Sequence, residues 1–232
     1  MDLQYGNRET EELTLEEAAE QLDAEPRWPA FIAIIAVGGL YAALPGELTL
    51  GPRWLFPSVV SALLVPTIVS HHTGRHRLDS ILGFAVDGVL TLGLIISVIL
   101  LVGALPAHKE APQELLISAA FLWITNILVF ALWYWRLDAG GPHQRDKNAE
   151  HTNGAFLFPQ MTMSEQALKD AAQLDWSPNF IDYLFLAFNT STAFSPTDVP
   201  VLAQWAKVLM MVQSLLSLLI IALLAARAVN IL

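Results

Sequence analysis

Long apolar runs separated by short polar segments dominate the pattern along this chain. A membrane-spanning helix needs about 20 mostly apolar residues, and five runs approach that length with Asp87 as their only internal charge. The pattern therefore predicts an all-α integral membrane protein with five transmembrane helices. The predicted spans are Trp28–Gly46, Trp54–Ser70, Ser80–Ala107, Leu115–Trp135 and Val208–Ala226.

A sixth apolar stretch, Tyr183–Thr197, is too short to cross a bilayer comfortably. Its first half, Phe180–Phe188, is predicted to be a helix that begins at Ser177 and Pro178, because serine favours the N-cap and proline the first helical position. Its second half, Asn189–Asp198, is polar, and irregular backbone is tolerated at membrane depth only inside protein or beside a wet cavity. The pattern predicts a re-entrant, pore-helix-like segment. The alternative is a surface amphipathic helix followed by a connector.

The pattern also divides the chain into four parts. Residues 1–27 form an acidic N-terminal arm, 28–136 hold four transmembrane helices, and 137–177 form a hydrophilic linker with a short helix predicted at Ser164–Leu174. The re-entrant segment and the last transmembrane helix occupy 178–232, where Asp198 is predicted to cap the last helix.

Composition agrees with a membrane protein and excludes several function classes. The chain is 54% hydrophobic and 15% charged, against about 25% charged residues in soluble proteins. Twelve basic residues against 22 acidic ones would repel phosphate, so no nucleic-acid partner is predicted. The chain has no cysteine and no nucleophile–base pattern, phosphate loop or metalloprotease spacing. We therefore predict no enzyme activity, catalytic residue, metal site or cofactor.

Asp87 is the strongest single candidate for a functional residue. An ionisable group inside a span costs about 2.5–3.5 kcal/mol on insertion scales and is a functional hypothesis by default. Asp79, Gly83, Asp87 and Thr91 recur every four residues and so form one polar, small-residue stripe on a helix. This stripe either lines a cation or proton path or fastens helices together by hydrogen bonds. Asn126 in the fourth span is predicted to fasten helices.

The distribution of basic residues predicts the orientation, because basic loops favour the cytoplasm. With five spans and a cytoplasmic N-terminus, nine bases lie inside and three outside, so we predict a bacterial cytoplasmic-membrane protein with that orientation. The His71–His76 loop is predicted to be an interfacial basic cluster that touches anionic lipid, with zinc binding as the alternative. The inner bases are Arg8, Arg27, Arg75, Arg77, Arg136, Arg145, Lys147, Lys169 and Lys207, and the outer ones Arg53, Lys109 and Arg227.

The segment Trp176–Thr192, a short loop and the span that ends at Arg227 together resemble the pore module of tetrameric potassium channels. That module consists of an outer helix, a pore helix, a threonine-rich filter and an inner helix. The resemblance implies that Leu115–Trp135 is the outer helix. It also implies that Ser191 and Thr192 correspond to the paired threonines at the start of the filter.

The filter region departs from the channel pattern, because no glycine follows Gly154. Filter glycines in that family allow backbone conformations that aim successive carbonyls at the ion. Potassium selectivity by a ladder of carbonyls is therefore not expected, and the alternative is a wider filter built from the hydroxyls of Thr190, Ser191 and Thr192. A channel-like loop would enter from outside, which conflicts with the charge bias; we give the charge bias more weight and predict entry from the cytoplasm.

The whole chain also resembles an uncharacterised bacterial family of small predicted multi-pass membrane proteins, defined by a domain of unknown function. The corresponding pieces are Trp123–Trp135, Tyr183–Phe188, Thr197–Asp198 and Ala228–Asn230. This resemblance implies a fold but no activity.

The sequence thus favours a channel-like or transport membrane protein for an inorganic cation or proton, as a homo-oligomer in the lipid bilayer. The alternative is a non-conducting scaffold or accessory subunit. Enzyme chemistry at Asp87 and His71/His72 ranks last. On the last span, polar Gln213 and Ser217 are predicted to serve helix packing, with pore lining as the alternative. The predicted ion-path or pore-loop residues are Thr190, Ser191, Thr192, Asp198, Asp87, Gln213 and Ser217.

Overall fold

The structure, a computed structural model, describes residues 25–73, 76–104, 112–147, 154–174, 176–195 and 198–229. Most of the predicted acidic arm and the side chains of the predicted histidine cluster lie outside the described residues.

The described chain is all-helical, as predicted, and contains no strand; one isolated antiparallel bridge joins Phe156 and Val201. Three-residue and four-residue 3-10 turns lie at Gly46–Leu48, Asp138–Gly140 and Pro159–Thr162. The α-helices are α1 Trp28–Ala42, α2 Leu55–His72, α3 His76–Ala104, α4 Pro112–Leu137, α5 Pro142–Lys147, α6 Glu165–Asp170, α7 Phe180–Thr192 and α8 Gln204–Val229.

Three of the five predicted spans, within α3, α4 and α8, are helices long and apolar enough to cross a membrane. The first is shorter than predicted, because α1 has 15 residues and ends at Ala42, whereas α2 has 18 residues, of which the apolar part ends at the predicted Ser70. At 1.5 Å per residue they reach about 22 and 27 Å, less than the roughly 30 Å hydrocarbon core. Pro45 and Pro52 in the connection favour this early break, because neither continues a helix.

The helices α1 and α3 run parallel, with α2 and α4 antiparallel to them. Arg27 before α1 pairs with Asp79 in the first turn of α3. At the other end of α1, the Tyr41 ring stacks on Phe56 of α2 with centroids 3.9 Å apart. Phe56 lies against Gly93 of α3, where a Cβ would overlap the ring. This arrangement brings the start of α1, the start of α3 and the end of α4 together at one end of the bundle, which we call the arginine end.

Helices α7 and α8 both pack on α4. They run parallel to each other and antiparallel to α4. Near their starts, Phe156 contacts both Tyr183 and Trp205. Further along, Ser217 of α8 hydrogen-bonds Ser191 of α7. Helix α7 therefore ends thirteen residues into α8, about 20 Å from the start of α8. Val201 pairs with Phe156 near the start of α8, so the chain is back at the arginine end where α8 begins.

The ends of α7 differ from the prediction. The N-cap is Asn179 rather than Ser177, because the Asn179 side chain accepts from the Ile181 N–H while the Asp182 carboxylate accepts from the Asn179 N–H. This reciprocal capping satisfies two donors at once. The helix also continues past Phe188 to Thr192, so the prediction of irregular backbone is wrong for Asn189–Thr192, whereas residues 193–195 are not helical.

The predicted cap at Asp198 is also wrong, because α8 begins six residues later, at Gln204. Before α8, the residues around Val201 pair with the linker through the isolated bridge to Phe156. Leu157 donates its N–H to the Pro200 carbonyl at 3.0 Å, and Leu202 donates to the Ala155 carbonyl at 2.8 Å.

The predicted linker helix Ser164–Leu174 is shorter in the structure, where α6 spans Glu165–Asp170. Ser164 is its N-cap and accepts from the Ala167 N–H.

Candidate functional site

Gln213 of α8 is the centre of a buried polar cluster among α4, α7 and α8. Its Nε2 donates to the Ala187 carbonyl at 2.8 Å and to the Ser191 hydroxyl at 2.9 Å. The Tyr134 hydroxyl donates to its Oε1 at 2.5 Å. Asn126 Nδ2 donates to the Gln213 carbonyl at 3.3 Å, in agreement with the predicted fastening role. These contacts lock the three helices together.

Two serines of α8 cap the C-terminal end of α7. A helix leaves its last four carbonyls without intrahelical partners. The Ser217 hydroxyl donates to the Ser191 carbonyl at 2.7 Å, and the Ser214 hydroxyl to the Thr190 carbonyl at 3.4 Å. Trp123 Nε1 in turn donates to Ser217 Oγ at 3.0 Å. These bonds satisfy the carbonyls of Thr190 and Ser191, so α7 can end beside the middle of α8.

The predicted filter residues lie on a helix, and only one of them faces outward. The hydroxyls of Thr190 and Thr192 donate to the carbonyls four residues earlier, at 2.8 and 2.9 Å. Such bonds absorb threonine hydroxyls within a helix. Thr190 and Ser191 are buried within this single chain, as are Gln213 and Ser217, whereas Thr192 and Asp198 are exposed.

The exposed end of α7 has a favourable electrostatic character for a cation. The C-terminal end of a helix carries roughly half a negative charge, because its carbonyl dipoles are aligned. Here that end is followed by the exposed residues Ala193 and Phe194, with Phe194 in the left-handed region at φ 53°. The last backbone bond of the helix is the one that Ala193 donates to the Asn189 carbonyl, at 2.8 Å.

Asp87 lies elsewhere, between α3 and α4, where it is 0% exposed. Its Oδ2 accepts from Nε of Arg136 at 2.5 Å, whereas its Oδ1 has no hydrogen-bond partner. Thr91 links the same helices, because its hydroxyl donates to the Asp87 carbonyl and accepts from Trp133 Nε1 at 2.8 Å. Within the predicted stripe, Gly83, Asp87 and Thr91 therefore face α4, whereas Asp79 pairs with Arg27 before α1. The described partners of the stripe include no residue of α7 or α8.

Gly83 makes the pairing of Asp87 with Arg136 sterically feasible. A Cβ at position 83 would overlap the Nη1 and Cζ atoms of Arg136. The guanidinium thus lies directly on the α3 backbone, one turn from Asp87. It also lies over the rings of Phe84 and Trp135, with centroids 5.8 and 5.5 Å away.

A second buried ion pair, between Glu25 and Arg145, ties the chain before α1 to α5. Arg145 Nη2 donates to Glu25 Oε2 at 2.7 Å, and Nη1 donates to the carbonyls of Trp135 and Asp138. Trp135 Nε1 donates to the other Glu25 oxygen. Burial raises the pKa of Glu25 above its ordinary value, although Arg145 acts in the opposite direction. Burial therefore opposes the charged form of Glu25 more strongly than Arg145 supports it.

Asp138 connects the linker to α7 at the same end. Its Oδ2 accepts from the Tyr183 hydroxyl at 2.6 Å, and its Oδ1 accepts from the Ala155 N–H. The chain can fold back here because Gly140 and Gly141 adopt left-handed φ values of 81° and 91°. These bonds fix the start of α7 against α4.

Sequence reasoning singled out Asp87 and Gln213 but missed Glu25, Arg136 and Arg145 as buried partners. The sequence pattern assigns Arg136 and Arg145 only to the inner basic residues that set the orientation, and Glu25 only to the acidic arm. One signal was present for Arg136, namely Gly83 one turn before an intramembrane aspartate. For Glu25 and Arg145, 120 residues apart, no local signal exists. Within the described parts of the chain, no three His, Asp or Glu side chains converge as a metal site.

Comparison of the chain with family models, with curated proteins and with solved structures finds no match. The two resemblances described above therefore stay predictions.

Proposed function

We propose that this chain is a channel-like or transport membrane protein for an inorganic cation or proton, without a glycine-based potassium filter. The observation that carries the proposal is the course of α7, which runs alongside α8 and ends halfway along it. The partial negative charge of its C-terminal end then lies at mid-membrane depth, where it favours a cation.

The exposed residues after α7 support a wet surface at that depth. Ala193 and Phe194 follow the last helical hydrogen bond and are exposed in the single chain. Lipid cannot satisfy irregular backbone, which is tolerated in the membrane only beside protein or a water-filled cavity. We therefore place the path next to Thr192 and the return segment, with Asp198 near its mouth, and expect copies of the chain to enclose it as a homo-oligomer.

The same proposal treats α7 and residues 193–203 as a re-entrant segment and α1 and α2 as spans. The outer faces of α1 and α2 are apolar, with Ile35 and Val65 both more than 60% exposed. Two helices slightly shorter than the hydrocarbon core are accommodated by local bilayer thinning at modest cost.

The proposal also keeps the N-terminus in the cytoplasm. A cysteine placed at position 148 of this cysteine-free chain should then resist an impermeant thiol reagent in intact cells. Labelling at position 148 would show that the orientation is the opposite one, with the N-terminus outside.

The second candidate function is a non-conducting scaffold or accessory subunit. It is favoured by the hydrogen bonds that the side chains of four predicted pore residues make within one chain, since these groups are then not offered to an ion. The four are Thr190, Ser191, Gln213 and Ser217. In that case α7 is a packing unit alone.

Ion flux through purified protein in liposomes separates the two functions. We expect flux of monovalent cations or protons, and we expect Thr192→Val to change its rate or selectivity because Thr192 is the outward-facing predicted filter residue. Thr162→Val, at an exposed linker position, is the matched control and should leave flux unchanged. Absence of flux for every cation tested would favour the scaffold.

A further inference from the structure

The buried carboxylate of Asp87 carries an inference that is independent of conduction along α7. Its Oδ1 atom is fully buried and has no hydrogen-bond partner. A buried polar atom without a partner costs about 1–3 kcal/mol, more when it is charged. A ligand that satisfies this oxygen would remove that cost.

A small cavity lies at the arginine end, one turn of α3 away from Asp87. Its volume is about 20 Å³, which is enough for one water. The lining side chains and backbone include Arg27, Thr67, Asp79, Gly83, Val86 and Arg136. The cavity is therefore bordered by the Arg27–Asp79 pair, by Arg136 and by the turn of α3 just before Asp87, although Asp87 itself does not line it.

The described charged groups near this cavity carry a net negative charge, which one added proton would neutralise. The guanidiniums of Arg27 and Arg136 face three carboxylates: Asp87 pairs with Arg136, whereas Asp79 and Asp146 pair with Arg27. The net charge of these five groups is one negative unit. The Glu25–Arg145 pair beside them is neutral in sum, and Thr67 of α2 carries no charge.

We propose that Asp87 is a proton-binding site whose proton arrives from the arginine end through this cavity. The proton adds to Oδ1 while Oδ2 continues to accept from Nε of Arg136, so no bond of the ion pair has to break. The five-group cluster then becomes neutral, and Asp79 and Asp146 balance the two guanidiniums. Arg136 borders the cavity and pairs with Asp87, and its guanidinium lies on the bare backbone at Gly83 without leaving the ion pair.

Infrared difference spectroscopy of the purified protein in lipid tests the site. Acidification from roughly pH 8 to pH 5 should produce a band of a protonated carboxylic acid that shifts with ¹³C-aspartate labelling. The band should be absent in Asp87→Asn and retained in Asp170→Asn, since Asp170 is exposed on α6 and lies outside the cluster. If Asp87→Asn does not fold, Asp87→Glu serves, because its band should no longer shift with labelled aspartate. A wild-type spectrum without the band, or a band that survives in the Asp87 variants, overturns the proposal.

The access route is tested by hydrogen–deuterium exchange of the same band. Ala30 lines the cavity, so the two methyl groups added by Ala30→Val should fill it and slow exchange at least several-fold. Ala33→Val is the matched control, since Ala33 is buried on the same helix but does not line the cavity. Equal exchange rates in the two variants would contradict the route. Because the readout is proton binding, it is unaffected by whether the protein conducts cations.

Discussion

Replacement of Gly83 by alanine tests whether the Asp87–Arg136 pair holds α3 against α4. The added Cβ would overlap Nη1 and Cζ of Arg136, and the α3 backbone cannot retreat because Asp87, on its next turn, is buried against α4. The guanidinium must then move, which leaves the fully buried Asp87 carboxylate without its cation.

The expected loss of stability follows from the cost of an unpaired buried charge. Removing one partner of a buried ion pair destabilises proteins by about 3–5 kcal/mol. For a chain of this size, 1 kcal/mol corresponds to roughly 2–4 °C in Tm, so Gly83→Ala should lower Tm by about 6–20 °C. The assay is thermal unfolding of purified protein in detergent, followed by loss of the monodisperse species.

Gly88→Ala on the same helix is the matched control. A Cβ there meets no atom within 4 Å, so the variant should gain up to about 1 kcal/mol of helix propensity. In an Asp87→Leu/Arg136→Met background, Gly83→Ala should cost little, because no guanidinium is displaced and no carboxylate is left bare. Equal Tm values for Gly83→Ala and Gly88→Ala would refute the reasoning.

Three further predictions concern the arginine end and α7. Because burial raises the pKa of Glu25 above 4.5, the folded chain binds this proton more tightly than the unfolded one. Relative to Glu25→Gln, the wild type should therefore lose stability as pH rises from about 4.5 to 7; the opposite trend would mean that pairing with Arg145 dominates. Ser217→Ala should cost about 0.6–1.7 kcal/mol in thermal unfolding and Ser214→Ala less, because its bond is longer; equal costs would argue against capping by Ser217. Asn179→Ala should cost about 0.5–2 kcal/mol, and an unchanged Tm would show that the cap is dispensable.

Hydrophobic patterning was sufficient for the helical class and for the position of the long helices. It could not place the end of α7, because that end depends on Ser214 and Ser217 of α8, which satisfy its carbonyls across the helix interface. Because these donors lie on another helix, the sequence after Phe188 alone predicts irregular polar backbone.

The buried charges show a second limit of the sequence. Asp87 was recognised because a charge inside an apolar run is conspicuous. Its partner Arg136 stands 49 residues away at a helix end, where basic residues usually mark the membrane interface. The pairing depends on how α3 and α4 meet at Gly83, which is a property of the packed helices rather than of either segment.

The most direct test of the account is whether water reaches the end of α7 in the membrane. A cysteine at Thr192 in this cysteine-free chain should react with a small water-soluble thiol reagent in native membranes. A cysteine at Leu92, which is 61% exposed on the outer face of α3, should not react because lipid covers it. Failure of position 192 to react, or equal reaction at both positions, would contradict a wet surface at the end of α7.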